Sequence, residues 1–336
     1  MRRFKHLGCA LLLLVFFAVP ALAEPVPVKV LVLSMFEVGE NSGDFAGEFQ
    51  HWYEEYFNEA SSYEVSGAPN PLFVNKDGVA GTVTGMGKAR SGATLMAILK
   101  DPRFDFGKTY FIVSGCAGVA PERGTLGDVF ICDWVVDYDL GHSWKESDAE
   151  LEAQADSGAT FFLLKDGYKD NGAIALNGEL ARWGLEIAKD VKLEDDPKAA
   201  EYRKFYSEET ANAKPSLRTG TSVTADTYWH GKGSSRQAAA ICEAYGASPY
   251  GVTQMEDNAF AIVLRALGYL DRYLVVRDVV NFDQPHPQQT ILESLEASSG
   301  GFAIGMINGH RVGSAVTRHI LENWNTWEKG VPVLQK

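Results

Sequence analysis

Residues 111–138, with the sequence FIVSGCAGVAPERGTLGDVFICDWVVDY, contain the pattern that decides the fold. A short apolar run ends in the small residues 115–118, and a strand-forming run follows at 128–138. Apolar runs rich in β-branched residues, without regular polar alternation, are typical of strands covered on both faces. The stretch therefore predicts two buried strands of an α/β sheet.

The same alternation of short strands and helices continues on both sides of this stretch. The predicted strands are 26–35, 79–84, 218–224 and 273–280, and the predicted helices are 45–57, 91–99, 255–267 and 305–327. Residues 143–215 carry more charges and predict a largely helical insertion or lid that covers one side of the site. We expect one α/β domain over 24–336, with three layers and a mixed, twisted central sheet flanked by helices.

The first 23 residues have the order of a secretory signal. Arg2, Arg3 and Lys5 precede ten apolar residues at 10–19, and small residues precede Glu24. This pattern predicts cleavage near Ala23 and export to the periplasm or the cell exterior. An uncleaved anchor is the alternative, although the run is shorter than the roughly 20 residues that span a bilayer. Since no later segment is predicted to span a membrane, we do not expect the chain to be a channel by itself.

The charge of the chain restricts its partners. The formal net charge is −13, and loss of the three basic residues of the leader makes it −16. Nucleic-acid binding requires a basic surface, so we expect no nucleic-acid partner. Since no Cys and His residues have the spacing of metal ligands, we also predict no metal and no cofactor.

Two glycine-rich stretches follow predicted strands, where ligands bind in open α/β sheets. Residues 85–91 form a turn that enters a helix, which favours an anion or oxyanion site; a turn with solvated charges is the alternative. Residues 114–118 allow close approach of a ligand, or form a packed bulge. The candidate binding residues are Gly87, Arg90 and Ser91 in the first stretch and Gly115, Cys116 and Ala117 in the second.

Aromatic and amide side chains follow two further strands. Tyr228 and Trp229 are adjacent, and their rings would stack on a flat heterocycle unless they only cover the core. Asn281 and Asp283 end the last predicted strand. An amide there would hydrogen-bond a purine edge, and a carboxyl group would protonate it. The alternative is an ordinary turn.

A polar group opens the predicted helix near residue 255. Gln254, Met255 and Glu256 stand at its start. A carboxylate at a helix start is stabilised there and accepts two hydroxyl hydrogen bonds, as a ribose diol requires. Ordinary helix capping, which Asp257 alone would satisfy, is the alternative.

The order of these stretches resembles two known groups of proteins. Residues 84–99, 111–138, 225–228, 255–256 and 277–281 resemble the nucleoside phosphorylase and nucleosidase superfamily. A second resemblance, to the purine nucleoside permease family, covers nearly the whole mature chain. It rests on Ser34-Met35-Phe36-Glu37, 115–121, 221–230, Met255-Glu256-Asp257-Asn258, Asn281-Phe282-Asp283 and Gly330-Val331-Pro332.

The resemblance implies a purine nucleoside as the ligand, with dimers or trimers as the assembly. It implies that Tyr228 and Trp229 stack on the base, that Asn281 contacts the base edge and that Glu256 holds the ribose hydroxyls. One hypothesis is a binding protein that supports nucleoside uptake. A plainer hypothesis is that the protein uses this fold neither for nucleoside uptake nor for catalysis.

The second hypothesis is cleavage of the N-glycosidic bond. Asn281 stands where the nucleosidases have a catalytic Asp, so Asn281 or Asp283 would activate the base. Water placed by Glu37 or Glu40 would attack the sugar, or else phosphate held by Arg90.

Overall fold

The structure is a computed structural model that describes residues 24–143, 162–163 and 166–334. The predicted signal at 1–23 and residues 144–161 and 164–165 of the predicted insertion lie outside the described residues.

The strands occur along the whole described chain. They are β1 (Val26–Pro27), β2 (Val30–Ser34), β3 (Ser61–Tyr63), β4 (Leu72–Val74), β5 (Val79–Val83), β6 (Phe104–Asp105), β7 (Tyr110–Val119), β8 (Val129–Asp137), β9 (His142–Ser143), β10 (Phe162–Leu163), β11 (Ala173–Ala175), β12 (Leu217–Thr224), β13 (Tyr250–Gln254) and β14 (Tyr273–Phe282).

The helices alternate with these strands. They are α1 (Gln50–Trp52), α2 (Lys88–Leu99), α3 (Lys169–Gly172), α4 (Gly178–Ala188), α5 (Pro197–Arg203), α6 (Lys232–Tyr245), α7 (Asp257–Ala266), α8 (Ile291–Leu295), α9 (Gly301–Glu322) and α10 (Trp324–Trp327). A π-helical segment, Tyr53–Phe57, continues α1, and 3-10 turns form at Asp166–Tyr168 and Leu270–Arg272.

Five strands of the central sheet close into a ring. β7 pairs with β14, β14 with β8, β8 with β12, β12 with β13, and β13 with β7 again. The β14–β8 and β13–β7 pairs are antiparallel and the other three are parallel. β2, β5, β4 and β3 extend the sheet from β7. The prediction of a mixed central sheet flanked by helices is confirmed.

The core lies on both faces of this sheet. In β2, Leu31 and Leu33 belong to one apolar cluster, and Val30 and Val32 belong to another. Alternate residues of a strand point to opposite faces, so both faces of β2 are covered. All four side chains are fully buried. This explains why the strands are apolar runs without polar alternation.

Several sequence-predicted boundaries differ from the structure, and two of the differences affect the residues around the site. The strand predicted to end near residue 113 continues to Val119, so the small residues 115–118 lie inside β7 and not in a loop after it. Pairing with β14 along nearly its whole length sustains the longer strand. The predicted helix 45–57 begins only at Gln50 and passes into the π-helical segment.

The described part of the predicted insertion contains the strands β10 and β11 as well as the helices α3, α4 and α5. α4 packs against β8, β14 and α9, and α5 begins at a side-chain cap from Asp196. β11 adds antiparallel to β8 at the edge of the sheet.

The long C-terminal helix α9 lies directly on the strands that carry the site. It contains glycines at positions 301, 305, 309 and 313, and a Cβ on Gly309 would lie 2.2 Å from Asp278 Oδ1. A Cβ on Gly301 would lie 2.4 Å from the Val280 carbonyl oxygen. The small residues therefore permit close packing of α9 on β14.

Candidate functional site

A cavity of about 260 Å³ opens where β2, β7, β13 and β14 reach their carboxyl ends. This volume is near the lower end of the ~300–1,000 Å³ typical of small-molecule pockets. Its lining residues are Met35, Phe36, Glu48, Met86, Cys116, Ala117, Gly118, Thr227, Tyr228, Trp229, Thr253, Gln254, Met255, Glu256, Arg277, Val280, Asn281 and Phe302. The ring of strands, together with β2, β5 and α9, brings these residues together from distant parts of the chain.

Glu48 is a buried carboxyl group that faces this cavity. The Met35 amide donates to its Oε2 at 2.6 Å, and the Cys116 amide donates to its Oε1 at 2.9 Å. A Cβ on Gly115 would lie 2.7 Å from Oε1, so this glycine is what lets the carboxyl group approach β7. Burial raises the pKa of Glu48 to about 8, with a further contribution from Glu256.

Arg277 connects the polar groups at the base of the cavity through hydrogen bonds. Its guanidinium Nε donates to both oxygens of Asp257 at 3.1 Å, and its Nη2 donates to Glu256 Oε2 at 3.2 Å. Its Nη1 donates to the Cys116 carbonyl at 3.1 Å. The side chain is almost fully buried. Because a buried cation needs compensation, the two carboxylates next to it are a structural requirement as well as part of the site.

Glu256 has the position that the sequence predicts for a sugar-binding carboxylate. It precedes α7, and its Oε1 accepts a hydrogen bond from the Gly87 amide at 2.9 Å. Burial raises its pKa, while Arg277 lowers it. Each oxygen has one protein donor and retains lone pairs for a ligand.

The aromatic and amide candidates lie along the cavity wall. Trp229 is buried and stacked on Tyr138, with ring centroids 5.3 Å apart, so one of its faces is covered. Tyr228 is 56% exposed and has the more accessible ring. A β-bulge between Val279 and Asn281 brings Val280 and Asn281 into the cavity together, which a regular strand would not do.

Asp283 does not have the predicted catalytic position. Its side chain is fully buried, and its Oδ2 accepts hydrogen bonds from Ser235 Oγ at 2.8 Å and from Tyr250 Oη at 2.9 Å. It is absent from the described cavity lining. β14 ends at Phe282, so the alternation that would put Asp283 beside Asn281 no longer applies. Asp283 joins the end of β14 to α6 and β13.

Glu37 and Glu40 are also outside the described cavity lining. Glu37 accepts hydrogen bonds from the backbone amides of Gly47, Phe49 and Gln50, which fixes the chain before α1. Glu40 is exposed in the preceding loop. The carboxyl group that does reach the cavity from this segment is Glu48.

Several other predicted binding residues support the site without lining it. Gly87 positions Glu256 through its amide, and Gly115 makes room for Glu48. Arg90 is exposed, and buried Ser91 donates to the Lys88 carbonyl within α2 at 3.3 Å. The structure therefore does not bring Arg90 and Ser91 to the cavity.

Gln254 lines the cavity, but its polar atoms are engaged by the protein. Its Nε2 donates to Ser222 Oγ and Thr224 Oγ1, at 3.0 and 2.7 Å. Its Oε1 accepts from the Asp257 amide and from Arg277. Gln254, at the end of β13, therefore links this strand to β12 and β14 through hydrogen bonds.

Sequence reasoning missed Glu48, Phe36, Met86 and Phe302 as cavity residues. Glu48 lies in a non-repetitive segment, and no residue pattern there indicates the direction of a side chain. Phe302 comes from α9, whose packing on β14 only the tertiary structure reveals.

The purine nucleoside permease family model matches residues 27–332. The chain belongs to this family. A "Probable purine nucleoside permease" of Schizosaccharomyces pombe is 30% identical over 266 residues, which are 73% of this chain and 76% of the relative. A purine nucleoside permease of Candida albicans is 27% identical over 258 residues, 72% of this chain. The chain spans only 64% of the length of that second relative.

Solved structures with a similar fold are nucleosidases and a hydrolase. A 5'-methylthioadenosine/S-adenosylhomocysteine nucleosidase from Helicobacter pylori has a TM-score of 0.58 and 12% identity, over 87% of this chain and 98% of that chain. The futalosine hydrolase of the same organism has a TM-score of 0.57 and 12% identity, with the same coverage. At such low identity the comparison establishes the fold, which this permease-family chain shares with these enzymes.

Two further observations concern the described residues alone. None of their helices is long and apolar enough to cross a membrane. No three His, Cys, Asp or Glu side chains in the ranges 24–143, 162–163 and 166–334 are grouped as metal ligands.

Proposed function

We propose that the chain binds a purine nucleoside in this cavity and thereby supports nucleoside uptake. The observation that carries the proposal is the combination of Glu256, Tyr228 and Asn281 around one cavity. These are a hydroxyl-accepting carboxylate, an accessible aromatic ring and an amide. Together they match the sugar hydroxyls, the flat face and the polar edge of a nucleoside. The names of the S. pombe and C. albicans relatives, both purine nucleoside permeases, support the same ligand class.

Glu256 would hold the sugar. The Gly87 amide and Arg277 fix the two oxygens of its carboxylate, so the group is oriented before the ligand arrives. Two adjacent ribose hydroxyls would donate to the remaining lone pairs. Such preorganisation lowers the entropic cost of binding.

Asn281 and Tyr228 would hold the base. Asn281 Nδ2 donates to the Phe282 carbonyl at 2.8 Å, which leaves one N–H and the amide oxygen for a ligand. Tyr228 would stack on the base, and Trp229, supported by Tyr138, would close the wall beside it. In this proposal only Tyr228 stacks on the base, whereas the resemblance implies that both Tyr228 and Trp229 do.

Cleavage of the nucleoside is a second candidate, and Glu48 is the observation that favours it. A buried carboxyl group with a pKa of about 8 can exchange a proton near neutral pH. In this reaction Glu48, in its carboxylate form, would take a proton from a water whose oxygen bonds to C1′. The electron pair of the breaking C1′–N bond would stay on the base nitrogen, which would take its proton from solvent. Asn281 would donate a hydrogen bond to the departing base, since an amide cannot protonate it.

One experiment distinguishes these functions. The protein is titrated with adenosine, inosine and guanosine by calorimetry, and each mixture is then assayed for free base with and without phosphate. Saturable binding without free base supports the uptake function, and free base without phosphate supports hydrolysis. Binding of none of the three nucleosides would refute both.

Export, domain boundaries and self-association are part of the proposal. We propose removal of the leader near Ala23, followed by one domain from residue 24 onward with the insertion at about 143–215. Exposed Phe45, Met86 and Tyr228 lie at or near the cavity mouth and support a contact between copies. N-terminal sequencing of the exported protein and light scattering of the purified protein test these statements.

A further inference from the structure

The N-terminal turn of α2, which the sequence marks as an anion site, is occupied by the protein's own carboxylates. The Gly87 amide donates to Glu256 Oε1 at 2.9 Å, and the Lys88 amide donates to Asp226 Oδ1 at 2.7 Å. Free amides at a helix start attract phosphate and other anions. Here these two amides already have anionic partners.

The lysine of the same turn is neutralised as well. Lys88 Nζ lies 2.9 Å from Asp137 Oδ1, 3.0 Å from Asp139 Oδ2 and 3.8 Å from Asp226 Oδ2. Asp139 Oδ2 also accepts a hydrogen bond from the Asp226 amide at 2.6 Å, which fixes the loop that carries Tyr228. One positive charge thus faces three carboxylates, and the turn is negative as a whole.

The charged groups at the base of the cavity also carry a net negative charge. Among the described lining residues, Arg277 is the cation and Glu48 and Glu256 are the carboxyl groups. Arg277 pairs with both Asp257 and Glu256, so one guanidinium faces two carboxylates and one negative charge remains in excess. An incoming phosphate would therefore meet carboxylates in a partly dehydrated site, where repulsion is screened less than in water.

We propose that this arrangement restricts the site to uncharged nucleosides and excludes nucleotides and inorganic phosphate. Glu256 and Asp226 are the residues that impose the selection, because they occupy the amides that a phosphate group would need. The inference rests on the proposed nucleoside binding and specifies its ligand class. It also withdraws Arg90 as a phosphate ligand.

The test compares adenosine, adenosine 5′-monophosphate and inorganic phosphate by calorimetry at fixed ionic strength. We expect adenosine to bind at least about a hundredfold more tightly than its monophosphate. We also expect phosphate neither to produce heat of binding nor to compete with adenosine. Equal or tighter binding of the monophosphate would overturn the inference and leave nucleoside binding intact.

The Asp226→Asn variant tests the role assigned to Asp226. Asparagine keeps an acceptor for the Lys88 amide but removes one negative charge from the turn. The ratio of the two dissociation constants, monophosphate over adenosine, should fall about two- to fivefold, as expected for a charge that is partly exposed to solvent. Asp77→Asn is the matched control, because it makes the same charge change at an exposed residue that accepts no hydrogen bond from the N-terminal turn of α2. There the ratio should stay as in the wild type.

The remaining outcomes are also decisive. An unchanged ratio in Asp226→Asn, or a monophosphate too weak to measure in that variant, would contradict the role of Asp226. An equal fall in both variants would assign the effect to net charge alone and would likewise contradict it. If no nucleoside binds the wild-type protein, the proposed function fails and the selectivity fails with it.

Discussion

Glu48 is the residue whose surroundings most constrain the chemistry of the cavity. Both of its oxygens accept backbone N–H groups, from Met35 and Cys116, while its side chain is buried. A glutamine in its place would turn an NH₂ group toward one of these donors. One buried N–H group would then have no acceptor.

We therefore predict that Glu48→Gln lowers the free energy of unfolding by about 1–3 kcal/mol, the usual cost of an unsatisfied buried donor. Glu40→Gln is the control, since Glu40 is exposed, and it should stay within about 0.5 kcal/mol of the wild type. Denaturant unfolding of the three proteins measures this. Equal stability of both variants would mean that the contacts of Glu48 do not stabilise the fold.

Asp283 illustrates how a carboxyl group near the site serves the fold. Burial raises the pKa of Asp283 to about 7. Between its ordinary pKa of about 3.9 and this value, the folded protein holds a proton that the unfolded chain has released. The resulting stabilisation is complete below the ordinary pKa and is lost as the pH rises through about 7.

Asp283→Asn should remove this pH dependence. Between pH 5 and pH 8 the wild type should lose roughly 2.6 kcal/mol of unfolding free energy relative to the variant, at about 1.4 kcal/mol per pH unit up to pH 7. Nucleoside affinity should be the same in both proteins, because Asp283 does not line the described cavity. Denaturation at several pH values and calorimetry measure the two effects. Parallel stability profiles, or a lost affinity in the variant, would show that the assignment is wrong.

At the scale of elements, α9 and β14 form the contact that holds the cavity wall. Asp278 of β14 is buried against Gly309 of α9, and a Cβ on this glycine would lie 2.2 Å from the Asp278 carboxylate. Alanine is otherwise favoured over glycine inside a helix by about 1 kcal/mol. Whether alanine at position 309 raises or lowers the free energy of unfolding therefore shows how closely α9 packs on β14.

We predict that Gly309→Ala destabilises the protein by about 1–3 kcal/mol, because the added methyl group overpacks this contact. Gly233→Ala in α6 is the control, since a methyl group added there would meet no neighbouring side chain within 4 Å and the change should be neutral or stabilising. Thermal and denaturant unfolding compare the two. A stabilised Gly309→Ala variant would contradict the close packing of α9 on β14.

Sequence patterns predicted the elements better than their ends. The apolar runs of β2, β5, β8 and β12 match the predicted strands within a few residues, because both faces of the sheet are covered. The extension of β7 through residues 115–118 depends on pairing with β14, more than 150 residues later. No local propensity encodes such a partner, so the small residues were expected in a loop.

At the scale of the whole molecule, the ring β7–β14–β8–β12–β13 assembles the site. It brings together strand ends that are far apart in the sequence, and the predicted residues Cys116, Tyr228, Glu256 and Asn281 all reach one cavity. Their position at strand ends made them predictable. The direction of a side chain just beyond a strand was not predictable, which is why Glu37, Glu40 and Asp283 were chosen and Glu48 was missed.

The nucleoside-binding claim depends most directly on Glu256. Its carboxylate is oriented by the Gly87 amide and Arg277, and no backbone donor other than Gly87 contacts it among the described residues. Loss of a charged acceptor for two ligand hydroxyls should weaken binding strongly, since hydrogen bonds to charged groups contribute about 1.5–3 kcal/mol each.

The deciding measurement is calorimetric titration of adenosine into the wild type, Glu256→Ala and the control Glu243→Ala, an exposed glutamate of α6. We predict one saturable site in the wild type, the same affinity in Glu243→Ala, and an affinity at least about tenfold lower in Glu256→Ala with the fold intact by circular dichroism. Adenosine binding of equal strength in all three proteins would contradict the account.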